Sequence, residues 1–129
     1  MMTENCLKRK IITVSGSTRF IDVIAVIQWY LETLEGAICL GMNLLPEWYG
    51  AEASHQAEAE GIDKEQDSLH FDKIDISHEL YVVNVNHYIG KSTAREIAYA
   101  QKKGINIRYY QDDYLRHKVI HQMQRKERR

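Results

Sequence analysis

Short apolar runs alternate along the chain with stretches in which apolar residues recur every three or four positions. Residues 11–14 and 37–40 are apolar runs typical of buried strands. Between them, one face of an amphipathic helix is predicted by Phe20, Val23, Ile24, Ile27, Leu31 and Leu34. Gly36 is expected to close that helix. The first third of the chain therefore predicts a β-α-β unit, whose right-handed crossover makes the two strands parallel.

A helix is also predicted before the next strand. Residues 69–77 have the pattern of a helix end that packs through Leu69, Ile74 and Ile76. The acidic, alanine-rich segment before it, residues 46–67, predicts a broken helix. That segment either covers the sheet edge as a lid or is a solvated connecting helix.

The pattern over residues 81–104 gives the clearest prediction about function. A buried strand over residues 81–85 leads into a polar loop and then an amphipathic helix, which opens at Ser92 or Thr93 and ends at Gly104. Free N–H groups of a first helical turn favour anions, and the carboxyl end of a strand faces the crevice where α/β proteins bind ligands. We place an acid, Glu96, in that first turn and expect the ligand site here.

Strands that alternate with helices predict a three-layer α/β fold, with a mainly parallel sheet of four or five strands. Residues 105–110 supply a last strand, and residues 112–129 a final helix that ends in a basic tail over 116–129. The whole chain, 1–129, is long enough for one core and too short for two, so a single domain is expected.

Composition and charge narrow the class of protein. The chain is 44% hydrophobic and 27% charged with a formal net charge of -1, which gives no reason to expect nucleic acid or an anionic membrane as partner. Cys6 and Cys39 make neither a disulfide framework nor a metal cluster, which suits a reducing compartment. No apolar run approaches the roughly 20 residues of a membrane span, and no signal peptide is apparent. A cytoplasmic protein is expected.

The histidines show no metal-binding signature, so we do not expect a metal site. Four of them lack the spacing of zinc motifs: His55, His70, His78 and His87. His117 and His121 are four residues apart, but they lie in the basic tail. That tail either contacts RNA or an acidic partner or is a solvated helix end.

The turn after the first strand is a candidate binding loop, made of Ser15, Gly16, Ser17, Thr18 and Arg19. Its hydroxyl and N–H groups could hold a phosphate or a sugar, and Arg19 could pair with an oxyanion. The same residues are typical of an ordinary N-cap by Ser17 or Thr18. The chain has neither a Walker lysine motif nor a G-x-G-x-x-G motif, which does not favour the standard triphosphate or dinucleotide folds.

Three carboxylates are candidates for catalysis. Glu96, which follows a central strand, would suit a nucleophile or a group that stabilises an oxocarbenium ion. Alternatively, Thr93 and Glu96 form a capping box, in which the glutamate only satisfies the cap N–H. Asp72 or Asp75 could supply a second carboxylate in the crevice, or both could belong to the charge-paired polar face of a helix.

Together these segments resemble a known family. The similarity rests on residues 13–20, on His70 with residues 73–75, on residues 83–85, and on residues 88–97. In this order they resemble the nucleoside 2-deoxyribosyltransferase-like proteins, which are small, mostly uncharacterised bacterial and phage proteins. The similarity covers residues 11–109, and its most specific part is 88–97.

The resemblance implies a flavodoxin-like or Rossmann-like, doubly wound fold. It also implies cleavage of the N-glycosidic bond of 2-deoxynucleosides or their 5′-monophosphates, without a cofactor. Glu96 matches the family's nucleophile, which attacks C1′ and forms a glycosyl-enzyme intermediate. An aspartate before the strand matches the acid that assists departure of the base, and Asp72 fits that role somewhat better than Asp75.

Further site residues and an assembly are implied in the same way. Ser92 and Thr93 match positions that hold sugar or phosphate, and the Ser15 to Arg19 turn lines the same pocket. The loop after the strand is expected to face the substrate through Asn84, Asn86, His87, Tyr88 and Gly90. Relatives usually carry two glycines in place of Asn86 and His87, so these side chains are expected to narrow the space beside the sugar. A neighbouring subunit often completes such sites, so a homo-oligomer is expected.

A second function stays open. The same loops would also serve a non-catalytic module that senses or sequesters a nucleotide. In both cases the expected partner is a small nucleoside or nucleotide.

Overall fold

The computed structural model describes residues 8–45, Trp48 and residues 63–127. Most of the predicted acidic helix lies outside these residues, as does the end of the basic tail. In the described part, four strands alternate with four α-helices: β1 Ile11–Gly16, α1 Ile21–Thr33, β2 Ile38–Leu40, α2 Asp63–Asp75, β3 Glu79–Val83, α3 Lys91–Lys103, β4 Asn106–Tyr109 and α4 Leu115–Glu127. The alternation predicted from the hydrophobic pattern is therefore confirmed.

The four described strands form one parallel sheet in the order β2-β1-β3-β4. The chain runs outward from β1 to β2 and then returns across β1 to β3, so the direction of winding reverses between β1 and β3. Open α/β sheets bind ligands at such a reversal, outside the carboxyl ends of the strands. At that end of the β1–β3 pair, Gly16 lies opposite Val83.

Helices cover both faces of the sheet. On one face α1 and α4 enclose a core that includes Ile12 and Val14 of β1. On the other face α2 and α3 pack on Leu80 and Val82 of β3, with Ile74 buried between them. The result is a three-layer, flavodoxin-like or Rossmann-like α/β fold, as predicted.

Strand β1 directs polar side chains to the second face. Because side chains alternate along a strand, Thr13 and Ser15 point away from the core that holds Ile12 and Val14, and all four are buried. The Thr13 hydroxyl lies 2.6 Å from the hydroxyl of Ser77, just after α2. β1 thus presents buried hydroxyl groups toward the layer formed by α2 and α3.

The predicted start of α3 is wrong by one to two residues. The helix begins at Lys91, after an N-cap at Gly90 that makes no side-chain cap hydrogen bond, and it ends as predicted at Gly104 with φ 73°. Glu96 consequently lies in the second helical turn, one turn later than expected.

Two of the packing contacts predicted for α2 are also wrong. Ile74 is fully buried, but Leu69 is 46% exposed and Ile76 is 62% exposed. Ile76 lies beyond the helix end at Asp75, and Phe71 packs on the core where Leu69 was expected. None of the helices in the described part of the chain combines the length and apolar character needed to cross a membrane.

Candidate active site

A buried hydrogen bond joins the carboxyl end of β1 to α3. The hydroxyl of Ser15 donates to Oε1 of Glu96. Glu96 lies on the buried stripe of α3, together with Thr93 and Ala100. Because Gly90 is the N-cap and Glu96 bonds to Ser15, the capping-box alternative for Glu96 is wrong. The carboxyl group is held in the crevice beside the reversal of the sheet.

His70 of α2 faces the same carboxyl group. Its Nε2 lies 3.6 Å from Oε1 of Glu96, and each of the two side chains is only 12% exposed. This separation is too long for a hydrogen bond, and Nε2 is buried without a hydrogen-bond partner among the described residues. A buried polar atom without a partner costs free energy, and such atoms occur at functional sites.

Burial shifts the pKa values of both groups away from the charged forms. Burial raises the pKa of Glu96 to about 7, and the Asp67 carboxylate raises this pKa further. The hydrogen bond from Ser15 and the positive charge of Arg95 both lower it. Burial likewise lowers the pKa of His70 to about 4, with Lys73 lowering it further and Asp67 opposing the shift. Near neutral pH the imidazole is therefore uncharged, and Glu96 keeps its proton to a higher pH than an exposed glutamate does.

An ion pair spans α2 and α3 beside these groups. Nη2 of Arg95 lies 3.3 Å from Oδ2 of Asp67, and the same nitrogen donates to the hydroxyl of Ser92 at 3.2 Å. Ser92, a predicted sugar or phosphate contact, thus bonds within its own helix. Thr93 is buried one turn before Glu96.

The predicted second carboxylates lie elsewhere on α2. Asp75 accepts a hydrogen bond of 2.6 Å from the hydroxyl of Tyr99 and lies 3.7 Å from Nζ of Lys103. These partners are three and seven residues past Glu96, roughly 5 to 10 Å farther along α3. Asp72 is exposed. In the described part of the chain, the structure brings His70 to Glu96, and neither aspartate contacts the Glu96 carboxyl group.

The loop after β1 is shaped mainly by its own contacts. Ser17 caps a short 3-10 turn, Thr18–Phe20, by accepting from the N–H of Arg19, so the N-cap alternative holds for Ser17. A Cβ atom at Gly16 would lie 3.1 Å from the carbonyl oxygen of Val83, so a larger residue there would require β3 to shift by a few tenths of an ångström. Thr18 is exposed.

Arg19 connects this loop to the loop after β3. Its guanidinium group lies 4.0 Å from the centre of the Tyr88 ring, and Phe20 contacts the same ring edge to face at 5.9 Å. A guanidinium group over an aromatic face is a favourable cation–π arrangement. The two loops predicted to bind the substrate therefore meet at the carboxyl edge of the sheet.

The loop after β3 has an unusual backbone. Asn86 and His87 both have positive φ angles, 54° and 66°, and both side chains are exposed. The N–H of Asn86 donates to Oε1 of Gln111 at 3.0 Å, and the buried Asn84 accepts from the N–H of Gln111 at 3.0 Å. Asn84 therefore has a structural partner. Glycine adopts this left-handed conformation more readily than asparagine or histidine does.

Sequence reasoning did not place His70 next to Glu96, although a signal was present. Ile74 is the apolar anchor of α2, and a helical stripe runs back from it by about one turn and then two. Those steps lead to His70 and Asp67, the residues that the structure places beside Glu96. Asp72 and Asp75 are out of phase with this stripe.

The described residues contain no group of three or more His, Cys, Asp or Glu side chains that could hold a metal ion. Comparison of the chain with protein-family models, with curated proteins and with solved structures gives no match in any of the three.

Proposed function

We propose that the protein cleaves the N-glycosidic bond of 2-deoxynucleosides or their 5′-monophosphates, by hydrolysis or by transfer of the deoxyribosyl group to a second base. The observation that carries this proposal is the position of Glu96. Its carboxyl group is buried beside the reversal of the sheet, and it is held by Ser15 rather than by a helix cap. The resemblance of residues 11–109 to the nucleoside 2-deoxyribosyltransferase-like proteins supports the substrate class.

Glu96 is the nucleophile in this proposal. Its contacts with Ser15 and His70 both fall on Oε1, so we assign the attack on C1′ to Oε2. The C1′–N bond breaks as the new C1′–O bond forms, and its electron pair leaves with the base. Water or a second base then attacks C1′ and releases Glu96, which gives overall retention of configuration.

The neighbouring loops would orient the nucleoside. Arg19 and Tyr88 form a cationic and aromatic pair at the carboxyl edge of the sheet, and the free N–H groups at the start of α3 favour an anion there. A 5′-phosphate would be attracted to both features. The homo-oligomer and the cytoplasmic location expected from the sequence stay predictions.

A base-release assay tests the proposal. The protein is incubated with 2-deoxynucleosides and their 5′-monophosphates, with and without a second free base, and the products are separated by chromatography. Release by the parent chain and a loss of roughly 10³-fold or more in Glu96→Gln are expected. Ribonucleosides serve as matched substrates, and exposed His117→Gln as a control variant. A parent chain that releases no base from any compound would overturn the proposal.

The second candidate is a nucleotide-binding module without catalysis. It is favoured by the side chains of Asn86 and His87 at positions where relatives usually have glycine. This candidate predicts ligand-induced thermal stabilisation without turnover. It also predicts that Glu96→Gln binds the nucleotide as tightly as the parent chain does, because Glu96 forms no covalent bond to the ligand in a module without catalysis.

A further inference from the structure

We propose that His70 carries the proton of this reaction, by taking it from Glu96 as the substrate binds and delivering it to the departing base. The inference rests on the proposed function and assigns to a histidine the role that the sequence suggested for Asp72 or Asp75.

The geometry supports this role. Nε2 of His70 is buried, lies 3.6 Å from Oε1 of Glu96 and has no hydrogen-bond partner among the described residues. A ring nitrogen that accepts no hydrogen bond can receive a proton. The present separation exceeds a hydrogen bond by only a few tenths of an ångström, and catalytic contacts often tighten when the substrate binds.

The helices that carry the two groups are fixed to each other. Phe71, next to His70, packs on Tyr99 with a ring separation of 4.7 Å, and Tyr99 also bonds to Asp75. The Arg95 and Asp67 ion pair joins the same helices on the other side of His70. His70 and Glu96 are thus held close together.

Burial is the largest obstacle to a charged imidazole at His70, so a transient imidazolium depends on nearby negative charge. On α2 itself, Asp67 favours the charged imidazole and Lys73 opposes it. From α3, the Glu96 carboxylate faces the ring, while the positive charge of Arg95 is paired with Asp67. β1 contributes the uncharged hydroxyl of Ser15. An imidazolium would therefore have the ionised Glu96 carboxyl group at its side as a partner.

The proton balance is complete with these groups alone. The proton of the Glu96 carboxyl group moves to Nε2 of His70, which leaves a carboxylate to attack C1′. The C1′–N bond breaks, the base takes the bonding pair, and the proton on Nε2 passes to the base nitrogen. In the second step the attacking water gives one proton to His70 and its oxygen to C1′, while Glu96 leaves as a carboxylate. Return of that proton to Glu96 restores the starting state.

Two substrates with different leaving groups distinguish the delivery of a proton from nucleophilic attack. Natural deoxynucleosides need a proton on the departing base, whereas a 2-deoxyriboside of 4-nitrophenol leaves as a stable anion. We expect His70→Gln to lower kcat/KM for the natural substrate by about 10²-fold or more. Release of 4-nitrophenolate should change much less near pH 7, because part of the Glu96 carboxyl groups are ionised at that pH without passing a proton to His70. Glu96→Gln should abolish cleavage of both, and the matched histidine variant His117→Gln should affect neither.

Several outcomes would contradict the role of His70 as the proton donor to the base. Equal losses on both substrates in His70→Gln would overturn the assignment, as would a loss confined to the natural substrate in Asp72→Asn or Asp75→Asn. A parent chain inactive on both substrates would instead overturn the proposed function.

A spectroscopic measurement tests the pair without turnover. ¹⁵N NMR of the histidine side chains follows the protonation of Nε2. In the parent chain the Nε2 signal of His70 should respond to the titration of Glu96, and this response should vanish in Glu96→Gln. A His70 titration that is the same in both proteins would overturn the proton exchange, whatever the activity assay shows.

Discussion

The hydroxyl of Ser15 is hydrogen-bonded to the carboxyl group of Glu96 inside the protein, although 81 residues separate them in the chain. Ser15 comes from the end of β1 and Glu96 from the second turn of α3, so this bond forms only when β1, β3 and α3 have assembled. It fixes the orientation of the one carboxyl group that we assign as the nucleophile.

Ser15→Ala should raise the pKa of Glu96 above its present value of about 7, because the hydroxyl stabilises the charged carboxylate. A hydrogen bond worth about 1 kcal/mol corresponds to roughly one pH unit. The pH dependence of base release, or ¹³C NMR of the Glu96 carboxyl carbon, measures the change. The control is Ser17→Ala, whose hydroxyl binds the N–H of Arg19. An unchanged or lowered pKa in Ser15→Ala would contradict this reading of the bond.

The pKa shifts of His70 and Glu96 have opposite signs, so the two residues should change the pH dependence of the free energy of unfolding in opposite directions. The pKa of Glu96 is raised to about 7, so its contribution is fully present below pH 4.5 and is lost as the pH rises through 7. The pKa of His70 is lowered to about 4, so its contribution is present above pH 6.5 and is lost as the pH falls through 4. In the parent chain the two trends largely cancel between pH 4.5 and 6.5.

Single variants should separate the two trends. In His70→Gln the free energy of unfolding should fall as the pH rises from 4.5 to 7, and in Glu96→Gln it should increase from pH 4 to 6.5. Each change is of the order of 3 kcal/mol relative to the double variant. Urea unfolding at a series of pH values measures it, with His117→Gln as the control. Parallel pH profiles in the two single variants would show that one of the assigned shifts is wrong.

Replacement of Arg108 should lower the stability of the protein strongly. Its guanidinium group donates to Glu35, Glu79 and Asp113 at 2.8 to 3.2 Å, and Glu79 is only 3% exposed. Arg108→Met would leave this buried carboxylate without its nearest cation, so the free energy of unfolding should fall by about 3 kcal/mol or more.

Lys103→Met is the matched control for Arg108→Met, because its ion pair with Asp75 is largely exposed and should contribute less than about 1 kcal/mol. Both variants are compared by urea unfolding at pH 7. Losses of similar size would mean that the cluster around Arg108 is no more important than a surface ion pair.

The fold was predictable because its signals are local. The apolar runs of β1 and β3 and the glycine at position 104 mark elements that the chain forms from neighbouring residues. The start of α3 was less predictable, since serine and threonine are strong cap residues in sequence. Gly90 serves as the cap instead: its backbone is extended, and its carbonyl oxygen accepts a hydrogen bond of 2.9 Å from the N–H of Ala94, so the helix begins at Lys91.

The candidate site was only partly predictable because it depends on distant contacts. Glu96 was identified from its place after a central strand and from the resemblance. Its partner depends on the rotation of α2 about its own axis, which the buried Ile74 fixes and which turns His70 toward Glu96. A list of acidic residues in the segment selects Asp72 and Asp75 and cannot reveal that rotation.

Glycines at positions 86 and 87 should open the loop beside the proposed sugar site. Asn86 and His87 have φ angles of 54° and 66°, and the left-handed conformation costs such residues about 1 kcal/mol or more each. In Asn86→Gly/His87→Gly, relief of this strain should offset the larger entropy of glycine in the unfolded chain, so the free energy of unfolding should change by less than about 1 kcal/mol.

The same double variant should release base roughly tenfold faster from the substrates of the parent chain, because two side chains no longer narrow the space beside the sugar. The matched variant is Asn84→Gly, since Asn84 has a negative φ angle of -108° and its side chain holds the N–H of Gln111. It should lose about 2 kcal/mol of stability and gain no activity. Chromatographic base release and urea unfolding measure both effects. If Asn84→Gly released base faster than the parent chain, or if the double variant released it no faster, the sugar would not lie beside residues 86 and 87.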